Sequence, residues 1–253
     1  MNIGGKTTDV TGIEAQKKSA ALHAAREIRD GMVLGLGTGS TVYYLILQLE
    51  ELIREGLDIH AVATSVKSEE LAASHGIPLI PVNTVQTIHL AIDGVDAIGP
   101  DFCSIKGGGG ALFREKVIAS SARRVIWIMD QAKLVTTLSG MVLPIEVSPF
   151  ACRLVEEQVR KLGFEPALRR MDYAGYGKDA PNRSALQRPA PYITDNGNYI
   201  LDLKGDSNMD YRLAAAGLKA ITGVLETGFF GSICEKIIVG TEHGVTEIPA
   251  SPL

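Results

Sequence analysis

Cysteine is scarce in this sequence, and what little there is forms no recognisable pattern. Only three cysteines occur among 253 residues, and no two of them make a CxxC pair. An odd number of widely spaced cysteines argues against a disulfide framework or a zinc site and is typical of a reducing compartment. The five histidines form no HxxxH pair either. We therefore expect neither structural disulfides nor a metal centre.

Long apolar runs and blocks of positive charge are also missing. No apolar run approaches the length of about 20 residues that spans a bilayer, and the first residues do not have the basic and apolar pattern of a secretory signal. The formal net charge is −4 at pH 7, without a long basic run, so nothing indicates nucleic-acid binding. These absences predict a soluble, cytoplasmic protein that binds neither membranes nor nucleic acids.

Apolar strands alternating with helices dominate the first half of the chain. With 45% hydrophobic residues, 253 residues suffice for one large domain or two small ones. Strands that are almost continuously apolar and separated by helices predict a parallel sheet covered on both faces, a Rossmann-like α/β fold. We expect these strands at Met32–Leu36, Ile59–Ala63, Pro78–Pro81, Thr87–Ile92 and Arg124–Met129.

The rhythm changes after residue 143. A strand, a helix, two strands and a helix follow, and the Asp195-Asn196-Gly197 turn between Tyr192–Thr194 and Tyr199–Leu203 is a strong hairpin signal. We therefore expect a small α+β domain at 144–221, with residues 1–143 and 222–253 forming the Rossmann-like domain. The segment from Asp172 to Pro191 gives no clear secondary-structure signal.

A glycine-rich turn joins the first strand to a long helix. It reads GxGxGST and places five candidate phosphate-binding residues at a helix N-terminus, namely Gly37, Thr38, Gly39, Ser40 and Thr41. Unpaired N–H groups and the positive end of the helix dipole favour an anion there. The turn lacks the third glycine of a dinucleotide motif and the GK[ST] of a P-loop. The alternative is a tight turn that only caps the helix.

Three carboxylates and a lysine are concentrated between residues 88 and 116. Asp93 ends an apolar strand, Asp96 follows, and Lys106 precedes four glycines and a helix that carries Glu115. On that helix Glu115 shares a face with Leu112, Ile118 and Ala119, so burial should raise its pKa toward the range useful for proton transfer. The alternative is an acid that only interacts with the helix dipole.

The polar residues at the ends of these strands should meet in one cleft. Ligands of parallel α/β sheets bind at the carboxyl ends of the strands. The residues found there are Gly35 to Ser40, Thr64, Ser65, Asp93, Asp96 and Asp130.

Taken together, these motifs resemble those of the type A ribose-5-phosphate isomerases. GLGTGSTV at 35–42 is similar to the phosphate loop of that family, DGVDAI at 93–98 to its DGADEI, and KGGGGALFREK at 106–116 to its KGGGAALTREK. Asp130 with Lys133, LPIEVSPF at 143–150 and TDNGNYILD at 194–202 also fit. Ala97 replaces the usual acid after Asp96, and the stretch around 172–191 is longer than usual.

The resemblance implies interconversion of ribose 5-phosphate and ribulose 5-phosphate in the pentose phosphate pathway, with no cofactor, by a homodimer or homotetramer. It implies that Glu115 is the general base and that Asp93, Asp96 and Lys106 open the ring and polarise substrate oxygens. It also implies substrate or phosphate contacts, and the residues we assign to them are Lys17, Gly37, Thr38, Gly39, Ser40, Thr41, Gly107, Gly108, Gly109 and Lys133.

Three other functions are compatible with parts of the pattern. An isomerase for another aldose phosphate would use the same chemistry. A non-catalytic sugar-phosphate sensor would be expected to lose the acids, yet Asp93, Asp96, Lys106 and Glu115 are all present. A nicotinamide dehydrogenase is disfavoured because the strand Ile59–Ala63 ends in Thr64-Ser65 rather than in an acid.

Overall fold

The computed structural model describes residues 10–171 and 189–250. These residues form two compact units, one that runs to Thr137 and resumes at Phe230, and one comprising Leu138–Phe229. The helices are α1 (Val10–Ala24), α2 (Ser40–Arg54), α3 (Val66–Ser74), α4 (Leu112–Ser121), α5 (Cys152–Lys161) and α6 (Tyr211–Lys219). Short 3-10 helices lie at Ala25–Glu27, Val82–Thr84 and Gln131–Lys133.

Thirteen strands are assigned within the described residues. They are β1 (Met32–Leu36), β2 (Ile59–Ala63), β3 (Leu90–Gly94), β4 (Ala97–Ile98), β5 (Ser104–Ile105), β6 (Val125–Asp130), β7 (Val142–Val147), β8 (Glu165–Leu168), β9 (Tyr199–Lys204), β10 (Val224–Thr227), β11 (Phe229–Phe230), β12 (Lys236–Thr241) and β13 (Gly244–Pro249).

The first unit is built on a six-stranded sheet in the order β13-β12-β6-β3-β1-β2. All neighbours are parallel except β12 and β13, which pair antiparallel. Successive side chains of a strand point to opposite faces, so each strand contributes to two separate cores. Leu36 and Ile92 pack in the cluster that contains α1 and α2 residues, whereas Ala91 and Trp127 pack in the cluster that contains Ile118 of α4. The predicted mostly parallel α/β fold is confirmed.

The second unit is a four-stranded antiparallel sheet in the order β10-β7-β9-β8, accompanied by α5 and α6. Strand β10 is absent from the sequence-based prediction. Because β10 pairs with β7, residues 224–227 belong to this sheet, and the unit extends to Phe229 rather than ending at 221. At its other end it begins at Leu138, ahead of the predicted residue 144.

Two predicted strands are not formed. Pro78–Pro81 makes only an isolated bridge between Leu79 and Ala61, since its two prolines carry no N–H to donate. Tyr192–Thr194 likewise makes a single bridge, from Ile193 to Tyr199, in place of a full hairpin limb. Most of the long stretch at 172–191, namely residues 172–188, lies outside the described residues.

Candidate active site

The carboxyl ends of the parallel strands surround a cavity of about 480 Å³ within the first unit. Eleven of the fourteen residues predicted for the site line it, namely Lys17, Thr38, Gly39, Ser40, Thr41, Asp96, Lys106, Gly107, Gly109, Glu115 and Lys133. Of the other three, Asp93 and Gly108 contact residues of this lining, and Gly37 lies against Asp93. Asp130, predicted to reach the same cleft, lines the cavity as well.

Gly37 allows the turn between β1 and α2 to lie directly against Asp93. A Cβ atom on Gly37 would fall 2.0 Å from Asp93 Oδ1, so a larger residue would displace that carboxylate. The backbone N–H groups of Thr38 and Gly94 both donate to the same oxygen, at 2.9 and 2.7 Å. Asp93 is therefore fixed through one oxygen, and its second oxygen is left for Lys106.

Lys106 is buried between two carboxylates. Its Nζ lies 3.0 Å from Asp93 Oδ2 and 3.4 Å from Glu115 Oε1. Desolvation lowers the pKa of the Lys106 ammonium, but the carboxylates of Asp93 and Glu115 outweigh it and raise the pKa above its ordinary value. Lys106 is therefore a buried positive charge at neutral pH, and it holds the two carboxyl groups close together.

Glu115 lies on the buried face of α4, as its spacing predicts. It shares this face with Leu112, Ile118 and Ala119. Its Oε2 atom is buried and has no hydrogen-bond partner among the residues that the structure describes. A buried polar atom without a partner is costly, and here it belongs to a residue that lines the cavity.

Burial raises the pKa of Glu115 to about 8. Lys106 opposes this shift, while the nearby carboxylates of Asp93 and Asp96 add to it. Burial also raises the pKa of Asp93, against Lys106 and the backbone donors of Thr38 and Gly94. Among the described residues, the backbone donors stabilise the carboxylate of Asp93 and not that of Glu115, so the surroundings of the two carboxyl groups differ.

The glycine loop after β5 wraps around Asp96. The Gly108 N–H donates to Asp96 Oδ2 at 2.7 Å, and a Cβ on Gly108 would come within 2.8 Å of Asp96 Oδ1. Gly107 has a φ of +101°, in the left-handed region. A turn follows it, in which the Gly110 N–H donates to the Gly107 C=O at 2.9 Å. The glycines thus let the backbone of this loop approach the Asp96 carboxylate closely.

The part of the cavity lined by the N-terminus of α2 is suited to an anion. Helix α2 begins after Gly39, which has a φ of +114° and provides no side-chain cap. The first N–H groups of α2 and the hydroxyls of Ser40 and Thr41 are therefore available to a ligand. Lys17 from α1 and Lys133 after β6 contribute two positive charges to the same lining.

Several residues of this site are not evident from the sequence. The Lys106 ammonium lies 5.1 Å from the ring centroid of Trp127 and 5.6 Å from that of Phe230, close enough for cation–π attraction. Ser68 of α3 donates from its hydroxyl to the Gly37 carbonyl at 2.8 Å. The apolar run around Trp127 signals only a core strand, and Ser68 only a polar helical position.

Two further observations concern metal-binding groups and membrane-spanning helices. Among the described residues, no group of three or more His, Cys, Asp or Glu side chains is arranged to hold a metal ion. No helix in that part of the chain is both long enough and apolar enough to cross a membrane.

The sequence matches a known family over most of its length. The family model described as ribose 5-phosphate isomerase A (phosphoriboisomerase A) matches residues 60–244. A ribose-5-phosphate isomerase A from Bacillus mycoides is 43% identical over 232 residues, which cover 91% of this chain and 98% of that protein.

Solved structures give the same result. A D-ribose-5-phosphate isomerase in complex with phospho-erythronic acid is similar with a TM-score of 0.84 and 38% identity, over 94% of this chain and 99% of that one. The ribose 5-phosphate isomerase A of Methanocaldococcus jannaschii has a TM-score of 0.82 and 33% identity, over 92% and 97%.

The fold and the relatives identify an enzyme of the isomerase class. Because both the family model and relatives above 40% identity span most of the sequence, the chain belongs to the ribose 5-phosphate isomerase A family.

Proposed function

We propose that this chain interconverts D-ribose 5-phosphate and D-ribulose 5-phosphate, with Glu115 moving the proton between C1 and C2. Family membership supports the reaction. The observation that carries the assignment of Glu115 is its Oε2, which is buried in the cavity wall beside Lys106 and has no hydrogen-bond partner within the described part of the chain. A general base works best when its pKa lies near the working pH, and burial raises the pKa of Glu115 to about 8.

The substrate phosphate binds at the N-terminus of α2. The uncapped turn at Gly39, with the hydroxyls of Ser40 and Thr41, provides neutral donors, and Lys17 and Lys133 provide charge. The related isomerase that holds phospho-erythronic acid supports a phosphorylated ligand of this size. Binding the phosphate at a fixed point holds the reacting carbons near Glu115, which lowers the entropic part of the barrier.

The proton transfer follows from the positions of Glu115 and Lys106. The Glu115 carboxylate removes the proton from C2 of the open-chain aldose, and the electron pair moves through the C1–C2 bond onto the carbonyl oxygen. The Lys106 ammonium stabilises the negative charge on the enediolate oxygen. Glu115 then returns the proton to C1 while the O2 hydroxyl proton passes to O1, which yields the ketose with all atoms conserved.

Ring opening precedes this step and needs an acid or base at the ring oxygen or the anomeric hydroxyl. Asp93 and Asp96 are both candidates. Asp96 lines the cavity directly, whereas Asp93 lies behind the lining and contacts Lys106 at 3.0 Å.

The proposal is tested by measuring ribulose 5-phosphate formed from ribose 5-phosphate with a chelator present, alongside other pentose and hexose phosphates. We expect conversion of ribose 5-phosphate alone. Conversion of a different aldose phosphate in its place would assign another substrate to the same chemistry. Binding of sugar phosphates without conversion of any would contradict the proposal and favour a sensor.

Assembly and location are separate parts of the proposal. We expect a homodimer or homotetramer that functions in the cytoplasm. Size-exclusion chromatography with light scattering on the full chain measures the first, and a monomer at micromolar concentration would contradict it.

A further inference from the structure

Four hydroxyl groups form a compact cluster beside the glycine-rich turn. Thr38 of the turn contacts Thr64 and Ser65, which follow β2, and Ser68 in the first turn of α3. Thr64, Ser65 and Ser68 are buried. None of the three belongs to the set of residues assigned above to bind substrate or transfer protons.

The directions of these hydrogen bonds follow from counting protons, since each hydroxyl has one to donate. Ser68 donates to the Gly37 carbonyl at 2.8 Å, and Ser65 donates to Ser68 Oγ at 3.0 Å. Thr38 donates to Ser65 Oγ at 2.8 Å. Its proton is then used, so Thr64 must donate to Thr38 across their 2.8 Å contact. The cluster is one directed chain that ends on the Gly37 carbonyl.

The peptide group at the end of this chain also contacts Asp93. The Gly37 carbonyl that accepts from Ser68 and the Thr38 N–H that donates to Asp93 Oδ1 at 2.9 Å belong to the same peptide bond. A hydrogen bond to the carbonyl of a peptide group polarises its N–H and strengthens the bond that the N–H donates. Ser68 therefore acts on Asp93 across one rigid, planar group.

Ser68 does not need this contact to build its helix. Serines within helices commonly donate to a carbonyl of the preceding turn, and Ser74 of the same helix does so, to Leu71 at 2.7 Å. The α3 N-terminus is already capped by Ser65, which accepts from the Ser68 N–H. The Ser68 hydroxyl instead leaves its own helix and reaches the turn.

We infer that Ser68 is a positioning residue for the isomerase reaction, which holds the Gly37–Thr38 peptide group so that its N–H fixes the Asp93 carboxylate beside Lys106. The inference rests on the proposed function for its effect on turnover. Ser68 does not itself line the cavity, although its Oγ lies 3.1 Å from the hydroxyl of Thr38, which does. Its proton is donated to the Gly37 carbonyl, so it acts on Asp93 through that peptide group.

Several charged groups surround Asp93 and contribute to its titration. Lys106 lies 3.0 Å away, Glu115 of α4 interacts electrostatically with both Asp93 and Lys106, and Asp96 after β3 interacts with Lys106 and Glu115. Removing the Ser68 hydroxyl alters none of these charges. A change in the titration of Asp93 in that variant therefore reports the weakened peptide N–H donor.

The test compares Ser68→Ala with Ser74→Ala in the full chain. Turnover and KM for ribose 5-phosphate are measured together with a 13C NMR titration of the Asp93 carboxyl, assigned with Asp93→Asn. We expect Ser68→Ala to lower kcat about fivefold to tenfold, the effect of one hydrogen bond, with KM within about twofold. The Asp93 titration should move to higher pH, because its carboxylate loses stabilisation. Ser74→Ala should change neither.

Other outcomes would overturn the inference. A rise in KM at unchanged kcat would reduce Ser68 to a support for the phosphate-binding turn, and an unchanged Asp93 titration would show that Ser68 does not act on Asp93.

If Ser68→Ala does not fold, Thr64→Val is the deciding variant, since it keeps the side-chain volume and deletes the first donor of the hydroxyl chain. Thr64→Val should lower kcat and shift the Asp93 titration to higher pH, both by less than Ser68→Ala does. No change in either quantity would contradict the inference. An unaltered chain that converts no sugar phosphate would instead contradict the proposed function, and the NMR titration would still test the link between Ser68 and Asp93.

Discussion

Two buried glutamates, one in each unit, have opposite surroundings. Glu146 of β7 is fully buried, and its Oε1 accepts from Thr194 Oγ1 at 3.0 Å, Asn196 Nδ2 at 3.0 Å and Asn198 Nδ2 at 2.8 Å. Glu115 of α4 has no such set of neutral donors among the residues that the structure describes. Neutral donors stabilise a carboxylate and fix its position, so Glu146 anchors the turn at 194–198.

The second oxygen does not distinguish the two glutamates. Oε2 is buried and without a partner in both Glu115 and Glu146, within the residues described. The difference lies in the charged partner and in access to a ligand. Glu115 has Lys106 at 3.4 Å and lines a cavity, and burial raises its pKa to about 8. A carboxylate that is paired with a lysine and faces a cavity can change its protonation state during a reaction.

The same substitution at both positions should separate the two roles most strongly. Glu115→Gln should lower kcat at least about 100-fold, because the amide cannot accept the C2 proton. Phospho-erythronic acid should still bind, since the anion-binding turn is unchanged, and calorimetry measures this. Glu146→Gln should keep kcat within about threefold. Full activity of Glu115→Gln, or an equal loss of kcat in Glu146→Gln, would contradict the different roles given to the two glutamates.

Removing the charged partner of Glu115 should have the next largest effect. We expect Lys106→Ala to lower kcat about 100-fold, comparable with loss of an oxyanion donor, with a smaller change in KM. Lys116→Ala is the matched control, since Lys116 lies on α4 and its ammonium, like that of Lys106, is close to Phe230, at 4.6 Å from the ring centroid. Steady-state kinetics of both variants measure the difference. Unchanged kcat with raised KM in Lys106→Ala would make Lys106 an anchor for substrate.

The first unit was more predictable from sequence than the second, for physical reasons. Strands buried on both faces are almost continuously apolar, and β2 at Ile59–Ala63 has the predicted bounds. Strand β10 reads Val-Leu-Glu-Thr and is recognisable only from its pairing with β7. The two-residue strands β4 and β5 are too short to show any periodicity.

Prediction of the candidate site from sequence was limited in the same way. Glycines next to acids, and Glu115 on an apolar helical face, could be recognised because their residue types contradict their local environments. Ser68 and Trp127 could not, since a polar residue in a helix and an aromatic residue in a strand are ordinary there. Their proximity to Gly37 and Lys106 depends on long-range packing.

Deleting the anchoring glutamate should affect stability rather than catalysis. Glu146→Ala leaves Thr194, Asn196 and Asn198 without their shared acceptor, and unsatisfied buried donors are costly. We expect the free energy of unfolding to fall by about 2 kcal/mol, with kcat of the folded enzyme within about threefold. Urea unfolding and kinetics measure the two effects. A large loss of kcat without loss of stability would assign Glu146 to the reaction.

The last prediction is a pH-dependent gain in stability for Glu115→Gln. The pKa of Glu115 rises from its ordinary 4.5 to about 8 on folding. Between these values the folded state holds a proton that the unfolded state has lost, so the unaltered protein loses stability as pH rises through this window. Glutamine has no such proton. The stability of Glu115→Gln relative to the unaltered chain should therefore grow by on the order of 1 kcal/mol for each pH unit between pH 5 and pH 8 and then level off.

Urea unfolding at pH 5, 6.5, 8 and 9 measures this difference, with Glu146→Gln as the control for loss of a buried carboxylate in the second unit. A difference that does not change with pH would mean that Glu115 stays ionised throughout. In that case Lys106 would hold Glu115 as firmly as neutral donors hold Glu146, and the contrast between the two glutamates would rest on access to the cavity alone.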